Sequence, residues 1–302
     1  MTTDTALTPP LEQPFTTQQA RDIGITRHRL RSLLLDKTLR RVLHGVYAGN
    51  DLPDTIDMRV QAAKLVVKPF VIVCDRTAAW LYGVDTLKYR ELEILPPIDT
   101  CVLPSQSRVR REGCQGHERD LEPPDIIDVG GLQVTSPLRT GLDLGCALPR
   151  RTALATLDWF LRLEHFTQTD LQRELRRFAG RRGVVQLREL VAIADGRAES
   201  PRESWARLVI LDAGLPVPEL QWSVCVDGIE VFRLDLAYPK HRLYIEYDGE
   251  EFHDNPDQRR HDEERRAWLA RHGWTGIILR KGDFTDEAIA RWTAEMRRAL
   301  GL

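Results

Sequence analysis

Residues 221–248 alternate between apolar and polar side chains in two runs, which is typical of neighbouring β-strands. The first run ends with Asp235, and the second contains Glu246 and Asp248. Because side chains alternate across a strand, Glu246 and Asp248 leave the same face, and an antiparallel neighbour can bring Asp235 beside them. The sequence therefore predicts a sheet with three carboxylates in one small volume.

Three clustered carboxylates indicate a metal site. Such groups raise one another's pKa unless a cation lies between them, and their oxygens suit a hard divalent ion, Mg²⁺ or Mn²⁺. The alternative is that two of the acids point into solvent and pair with nearby basic side chains. The basic residues within reach along the chain are Arg233, Lys240 and Arg242.

The elements around the acids follow a definite order. Ser200 and Pro201 open an amphipathic helix that Gly214 ends, and the dipeptide Asp227-Gly228 predicts a tight hairpin turn. The downstream segments are a charged helix, a short apolar strand and a final helix, at residues 257–272, 276–280 and 286–300. The predicted order is helix, three strands, helix, strand, helix.

That order resembles the PD-(D/E)XK restriction-endonuclease-like fold, because a glutamate lies on the first helix, an aspartate on the second strand and an acid-x-acid pair on the third. The motifs of residues 245–302 are similar to those of the Vsr-like (very-short-patch-repair) endonucleases. They read Ile245-Glu246-Tyr247-Asp248-Gly249-x-x-x-His253, Asp262-x-x-Arg265-x-x-x-Leu269-x-x-x-Gly273-Trp274 and Leu279-Arg280. The resemblance covers residues from about 200 to 302.

The resemblance implies a metal-dependent DNA endonuclease acting in DNA repair or phage defence. It makes Asp235 the central metal ligand, with Glu203 and Glu246 as supporting ligands. Asp248 stands where many members place a lysine that stabilises charge on the attacking water or the phosphate. His253 matches a histidine of the repair branch and is the candidate proton shuttle.

Each role has an alternative interpretation. Glu203 lies three residues after a serine, so it could act in a capping box at a helix start. His253 could have no catalytic role and simply close the loop after the third strand. Asp262 and Arg265 could form an ion pair on the helix surface. Arg265 or Arg280 could instead supply the positive charge that Asp248 does not.

The front of the chain carries a different pattern. Residues 16–24 and 27–35 predict two short helices, and residues 39–48 alternate like a hairpin. From Phe15 to Ala48 there are seven Lys/Arg against two Asp, whereas residues 200–302 hold fifteen Lys/Arg against nineteen Asp/Glu. A basic helix can enter a major groove while a hairpin contacts phosphates. The predicted DNA contacts are Arg27, His28, Arg29, Arg31, Arg40 and Arg41, and the alternative is a small basic packing domain.

The motifs Gly24-Ile25-Thr26-x-x-x-Leu30 and Arg41-x-x-x-Gly45-Val46-Tyr47 resemble the winged-helix domain of the AbiEi family of type IV antitoxin regulators. Residues 75–83 and 132–143 are similar to its middle region. In the second of these segments we expect helix caps and buried pairs. The residues concerned are Thr135, Ser136, Arg139, Thr140 and Asp143.

The predicted fold class is a multidomain mixture of α and β structure. The predicted divisions are a tail at 1–14, a winged helix at 15–60, an α+β middle at 61–195 and the nuclease-like domain at 200–302. In the middle we expect strands near 70–74, 92–95 and 132–135, helices near 150–163, 169–178 and 186–194, and a flexible basic loop at 178–183.

Composition narrows the class further. The 302 residues are 42% hydrophobic with a net charge of −2, which is ordinary for a globular protein. No signal peptide or membrane span is predicted. Five cysteines lack the short spacing of a zinc knuckle or a disulfide framework, so a reduced, cytoplasmic setting is expected. They are Cys74, Cys101, Cys114, Cys146 and Cys225.

The sequence thus predicts an Mg²⁺- or Mn²⁺-dependent DNA endonuclease directed by an N-terminal winged helix. The alternative is a non-catalytic, antitoxin-like DNA-binding regulator with a degenerate nuclease domain, and an RNA-processing enzyme is a third hypothesis. DNA is the expected partner in the first two cases. A homodimer and a cognate toxin are further partners left open, and no membrane partner is expected.

Overall fold

A computed structural model of the protein describes residues 9–86, 95–104, 106–249 and 256–302. Its chain forms two compact units, Met1–Leu144 and Gly145–Leu302. Both units mix helices with sheets, which confirms the expected α+β composition. The predicted tail up to residue 8, most of the predicted strand at 92–95, and His253 lie outside the described residues.

The first unit begins with two short helices and a three-stranded antiparallel sheet of order β1-β3-β2. Thr16 and Thr26 cap the two helices, since each side-chain oxygen accepts the backbone N–H three residues later. Leu30 and Leu33 of the second helix are buried in a cluster that includes apolar side chains of the sheet. The elements are β1 (Phe15–Thr16), α1 (Thr17–Asp22), α2 (Arg27–Leu35), β2 (Leu39–Leu43) and β3 (Val46–Gly49).

The rest of this unit is built on a five-stranded mixed sheet of order β6-β5-β4-β8-β7. β4 pairs antiparallel with β5 and parallel with β8, while β5 pairs parallel with β6. Strands that are neighbours in the sheet are therefore often distant in sequence. The elements are α3 (Ile56–Lys64), β4 (Ile72–Val73), α4 (Asp75–Leu81), β5 (Ile98–Val102), β6 (Cys114–Glu118), β7 (Ile126–Val129) and β8 (Leu132–Thr135).

The expected caps and buried pairs after β8 are confirmed. The hydroxyls of Thr135 and Thr140 lie 2.7 Å apart, and the guanidinium of Arg139 donates to Asp125 and to Asp143 over 2.8 Å each. Arg139 is 2% exposed, so its charge is held by these two carboxylates inside the protein. The segment is a buried structural network at the start of α5 (Pro137–Ala147).

The second unit opens with helices and continues into a four-stranded sheet of order β12-β11-β10-β9. The sequence of elements from α9 onwards is the predicted one: helix, three strands, helix, strand, helix. The elements after α5 are α6 (Arg150–Arg162), α7 (Gln168–Glu174), α8 (Val184–Ile193), α9 (Pro201–Asp212), β9 (Glu219–Val226), β10 (Ile229–Tyr238), β11 (Leu243–Tyr247), α10 (Pro256–Arg271), β12 (Thr275–Leu279) and α11 (Asp286–Leu300).

The β9–β10 hairpin turns at Asp227 and Gly228, as predicted. Both residues have positive φ, 51° and 79°, and Val226 pairs directly with Ile229. A two-residue turn with both φ values positive matches the right-handed twist of the flanking strands. Its dipeptide is one of the few that tolerate this backbone, which is why the turn could be located from the sequence.

Apolar side chains cover both faces of this sheet. Ile210 of α9 and Met296 of α11 belong to a buried cluster with Ile245 of β11. On the opposite face, Tyr244 of β11 belongs to a buried cluster with Leu269 of α10. β11 is thus buried on both sides. A polar side chain on this strand is therefore costly to bury unless it has a hydrogen-bonding partner.

Candidate functional site

Asp235 and Glu246 are brought together by the antiparallel pairing of β10 with β11. Leu236 pairs with Ile245, and Asp235 and Glu246 are the next residues along the two strands. Burial is the main cause that raises the pKa of Asp235 to about 8, and the charges of Glu203 and Glu246 raise it further. The Asp235 carboxyl therefore carries its proton at neutral pH unless a cation is supplied.

Glu203 lies in the first turn of α9 with its side chain buried. Its Oε2 accepts the backbone N–H of Glu199 and the side-chain amide of Gln221, each over 2.9 Å. Burial raises the pKa of this carboxyl. Ser200 caps the helix, as the sequence indicated, by accepting the N–H of Glu203 over 3.2 Å. Glu203 therefore has a structural role at the helix start and also adds negative charge beside Asp235.

Glu246 is held by an arginine from α10. Arg265 Nη1 donates to Oε2 over 2.8 Å, Nη2 donates to Oε1, and the same Nη2 also donates to the backbone carbonyl of Arg233 over 3.0 Å. Planar guanidinium and carboxylate groups match in this two-point geometry. Arg265 thus supplies positive charge to the acid cluster, which was one of the two roles considered for it.

Asp248 also has arginine partners. Arg266 Nη2 donates to its Oδ2 over 3.0 Å, and the guanidinium of Arg280 lies 3.7 Å from the same oxygen. The side chain of Asp248 is 10% exposed, so these guanidinium groups compensate its charge in place of water. Although Asp248 takes the place of a lysine in the resemblance, positive charge is present at this point of the structure.

The acids form a loose group. Within the residues that the structure describes, the side chains that bring ligand atoms within 4.8 Å of one another are Asp75, Asp99 and His117, in the first unit. Glu203, Asp235 and Glu246 are not such a group. Their binding of a metal ion therefore stays a prediction.

The predicted DNA contacts lie on α2 and β2. Four of them are exposed along α2, and Arg41 is exposed on β2. Arg40 differs, because its Nη2 donates to the backbone carbonyl of Leu52 over 2.7 Å. Arg40 therefore holds the hairpin in place. The exposed residues on α2 are Arg27, His28, Arg29 and Arg31.

Two site residues were missed in the sequence. Gln221 and Arg266 both bond to acids of the cluster but are separated from them by 18 residues each. Gln221 has a positive φ of 52°, which a sequence pattern does not reveal. For Arg266, the arginine-rich surface of the predicted helix at 257–272 gave a signal, but several arginines of that helix shared it.

Two known proteins are similar to most of the chain, and a family model matches its middle. Two Mycobacterium tuberculosis proteins, Uncharacterized protein Rv2248 of strain H37Rv and Uncharacterized protein MT2308 of strain CDC 1551, are each 37% identical to this chain over 277 residues. The alignments cover 91% of this chain and 97% of each relative. The family model for the AbiEi antitoxin C-terminal domain matches residues 71–193.

The chain belongs to the same family as these two proteins, and its residues 71–193 match the AbiEi antitoxin C-terminal domain. The matched segment runs from β4 to the end of α8 and includes the buried Arg139 network. It does not reach residues 200–302, so the nuclease-like interpretation of that region gains no support from the comparisons. None of the helices in the described ranges combines the length and apolarity needed to cross a membrane.

Proposed function

We propose that this protein is a DNA-binding antitoxin that regulates a cognate toxin and has no catalytic activity of its own. The match of residues 71–193 to the AbiEi antitoxin C-terminal domain carries the proposal. A basic N-terminal surface in the same chain supports it, since a DNA-binding regulator needs positive charge to contact phosphates. The proposal corresponds to the alternative hypothesis drawn from the sequence rather than to the endonuclease.

The N-terminal region acts as a winged helix in this proposal. α2 presents exposed basic side chains on one side and buries Leu30 and Leu33 on the other. A helix with this division can lie in a major groove without losing its core contacts. The β2–β3 hairpin adds Arg41, whose exposed guanidinium is suited to a phosphate contact.

DNA binding is tested by fluorescence anisotropy of the full-length protein on a labelled duplex from its own promoter region, over a range of salt concentrations. Each phosphate contact contributes about 0.9 to the slope of log affinity against log salt. We expect Arg29→Ala and Arg31→Ala each to weaken binding and reduce the slope by about 1. Arg188→Ala is the matched control, because Arg188 is exposed on α8.

Toxin regulation is tested in growing cells. The gene that adjoins this one is expressed alone and together with the full-length protein, and growth is compared. The proposal expects the adjoining product to arrest growth and this protein to relieve the arrest. If no adjoining product is toxic, or if toxicity persists while the protein is folded and abundant, the antitoxin function is rejected.

Metal-dependent hydrolysis of DNA is a second candidate function, favoured by the raised pKa of Asp235. A divalent cation would relieve the repulsion that Glu203 and Glu246 impose on this carboxyl, so the residue types fit Mg²⁺ or Mn²⁺. When bound, the ion would polarise a phosphodiester and lower the pKa of a water molecule. Asp235 would hold it with Glu246 and Glu203 once Arg265 releases Glu246 and the three carboxylates move closer together.

The second candidate is tested by incubating plasmid, mismatched and single-stranded DNA, and RNA, with the protein in Mg²⁺ or Mn²⁺. Asp235→Asn keeps the shape of the side chain and removes its charge. Nicking by the wild-type protein, but not by this variant, supports a nuclease. Absence of nicking, or equal nicking by both proteins, rejects hydrolysis at this site.

A further inference from the structure

Neighbouring strands of the mixed sheet in the first unit carry acidic and histidine side chains on one face. β4 pairs with β5, with Ile72 opposite Cys101, and β5 pairs with β6, with Cys101 beside His117. Because side chains alternate, Asp99 leaves the same face of β5 as Cys101. This face therefore carries a carboxylate and an imidazole on neighbouring strands.

α4 adds a second carboxylate to this face. Asp75 is the first residue of α4, separated by one residue from the end of β4, and its backbone has a positive φ of 50°. One ligand atom from each of Asp75, Asp99 and His117 lies within 4.8 Å of the other two. We name these three side chains the Asp-Asp-His cluster.

One oxygen of the cluster lacks a hydrogen bond. The side chain of Asp75 is 13% exposed, and its Oδ1 is shielded from solvent. This oxygen has no hydrogen-bond partner among the described residues. A buried carboxylate oxygen without a donor is costly, and natural sites satisfy it with a donor, a water molecule or an ion. This atom points to a ligand that completes the cluster.

Neighbouring groups fix the Asp75 carboxylate and the backbone of Asp99. Arg119 donates to Asp75 Oδ2 over 2.5 Å and to Asp143 Oδ2 over 2.6 Å. The backbone N–H of Asp99 donates to Thr77 Oγ1 over 2.8 Å. Metal-binding carboxylates are commonly oriented by outer hydrogen bonds such as the one from Arg119 to Asp75. The arginine occupies one oxygen of Asp75 and leaves the other for a ligand.

We propose that the Asp-Asp-His cluster binds one divalent transition-metal ion of the Zn²⁺ class. An imidazole with two carboxylates is a ligand set that zinc accepts, whereas Mg²⁺ prefers oxygen ligands alone. Three protein ligands leave a fourth position of a tetrahedral ion for water or a partner group. The ion ties the start of α4 to β5 and β6, within the segment that matches the AbiEi domain.

The binding test uses the full-length protein, freed of metal with a chelator and dialysed. Zn²⁺ is then titrated in competition with a chromophoric chelator, and the metal content of the dialysed complex is measured. We expect one Zn²⁺ per chain at this site. His117→Ala and Asp99→Asn should each weaken its binding by about tenfold or more, since each removes a ligand.

Two variants serve as controls. His241→Gln removes an exposed histidine in the turn before β11, and Asp235→Asn removes the central acid of the second unit. Both should leave this Zn²⁺ affinity unchanged. Binding that His117→Ala and Asp99→Asn leave intact, or that Asp235→Asn abolishes, would place the ion elsewhere and overturn the proposal.

The ligand set is tested by X-ray absorption of the zinc-loaded wild type. The expected spectrum contains the scattering of one imidazole and otherwise oxygen neighbours. Asp99→Asn must keep the near-ultraviolet circular dichroism of the wild type, which separates loss of a ligand from loss of the fold. Absence of Zn²⁺ uptake by the folded wild type would show that the cluster is an ordinary ion-pair network and would end the proposal.

Discussion

Arg265 and Glu246 form a two-point ion pair that ties α10 to β11. Nη1 donates to Oε2 over 2.8 Å, and Nη2 donates to Oε1. Glu246 is 8% exposed, so the carboxylate has exchanged water for a guanidinium. Breaking such a pair by removing one partner leaves a buried charge without compensation, which costs more than the pair itself contributes.

The first prediction follows from that asymmetry. Arg265→Ala should lower the free energy of unfolding by about 3 kcal/mol, at the lower end for buried pairs because Arg265 is 20% exposed. Urea unfolding at pH 7 measures the loss. Arg291→Ala is the control: it removes a 2.8 Å pair with Asp283 in which the arginine is 70% exposed, and should cost about 0.5 kcal/mol. Equal losses in the two variants would contradict the prediction.

The second prediction concerns pH. The pKa of Asp235 is raised from 3.8 to about 8 on folding, so its contribution to stability is fully present below pH 4 and is lost as the pH rises through 8. The upper limit of the loss is about 1.4 kcal/mol per pH unit over this range. Asp235→Asn cannot titrate and should be less sensitive to pH.

The measurement is urea unfolding of wild type and Asp235→Asn at pH 5, 6.5 and 8 with a chelator present. The difference between the two proteins isolates Asp235 from the other titrating groups. The variant should gain stability relative to the wild type as the pH rises. A difference that stays constant across the series would show that the carboxyl is ionised throughout.

Local signals were sufficient for much of the fold. Asp227-Gly228 located a hairpin because few dipeptides accept two positive φ values, and Ser200 with Pro201 marked the start of α9, where the serine hydroxyl accepts a backbone N–H. Alternation also placed Asp235 near Glu246. Each of these inferences depends on residues that are close in sequence or on adjacent strands.

Interactions between distant segments could not be inferred in the same way. Arg265 reaches Glu246 across 19 residues, and the helix that carries it holds several arginines. The Asp-Asp-His cluster depends on β6 lying beside β5 in parallel, which no short turn specifies. No local sequence pattern marks this pairing, so Asp99 and His117 were not recognised as neighbours.

The third prediction concerns the loop before α8, which the sequence indicated to be flexible. Gly180 and Gly183 have positive φ values of 76° and 83°. A Cβ on Gly183 would collide with the backbone carbonyl of Cys146, whereas nothing lies within 4 Å of a Cβ on Gly180. The end of this loop is therefore closely packed against the end of α5.

We expect Gly180→Ala to cost about 1 kcal/mol, from backbone strain alone. Gly183→Ala adds a collision with backbone that a side-chain rotation cannot relieve, and should cost about 3 kcal/mol or more. Thermal and urea unfolding of the two variants give the comparison. If the two substitutions cost the same, the contact between Gly183 and Cys146 is not maintained in solution.

The fourth prediction separates two neighbouring arginines of β2. Arg40 donates to the carbonyl of Leu52, whereas Arg41 is exposed. Arg41→Ala should therefore leave unfolding unchanged, weaken binding to duplex DNA and reduce the salt slope by about 1. Arg40→Ala should lower the free energy of unfolding by about 1 kcal/mol, because a partly buried carbonyl loses its donor, while the folded protein keeps its salt slope. Anisotropy titrations and urea unfolding of both variants test this division. If Arg40→Ala reduces the slope and Arg41→Ala does not, the hairpin faces DNA in a different orientation from the one proposed.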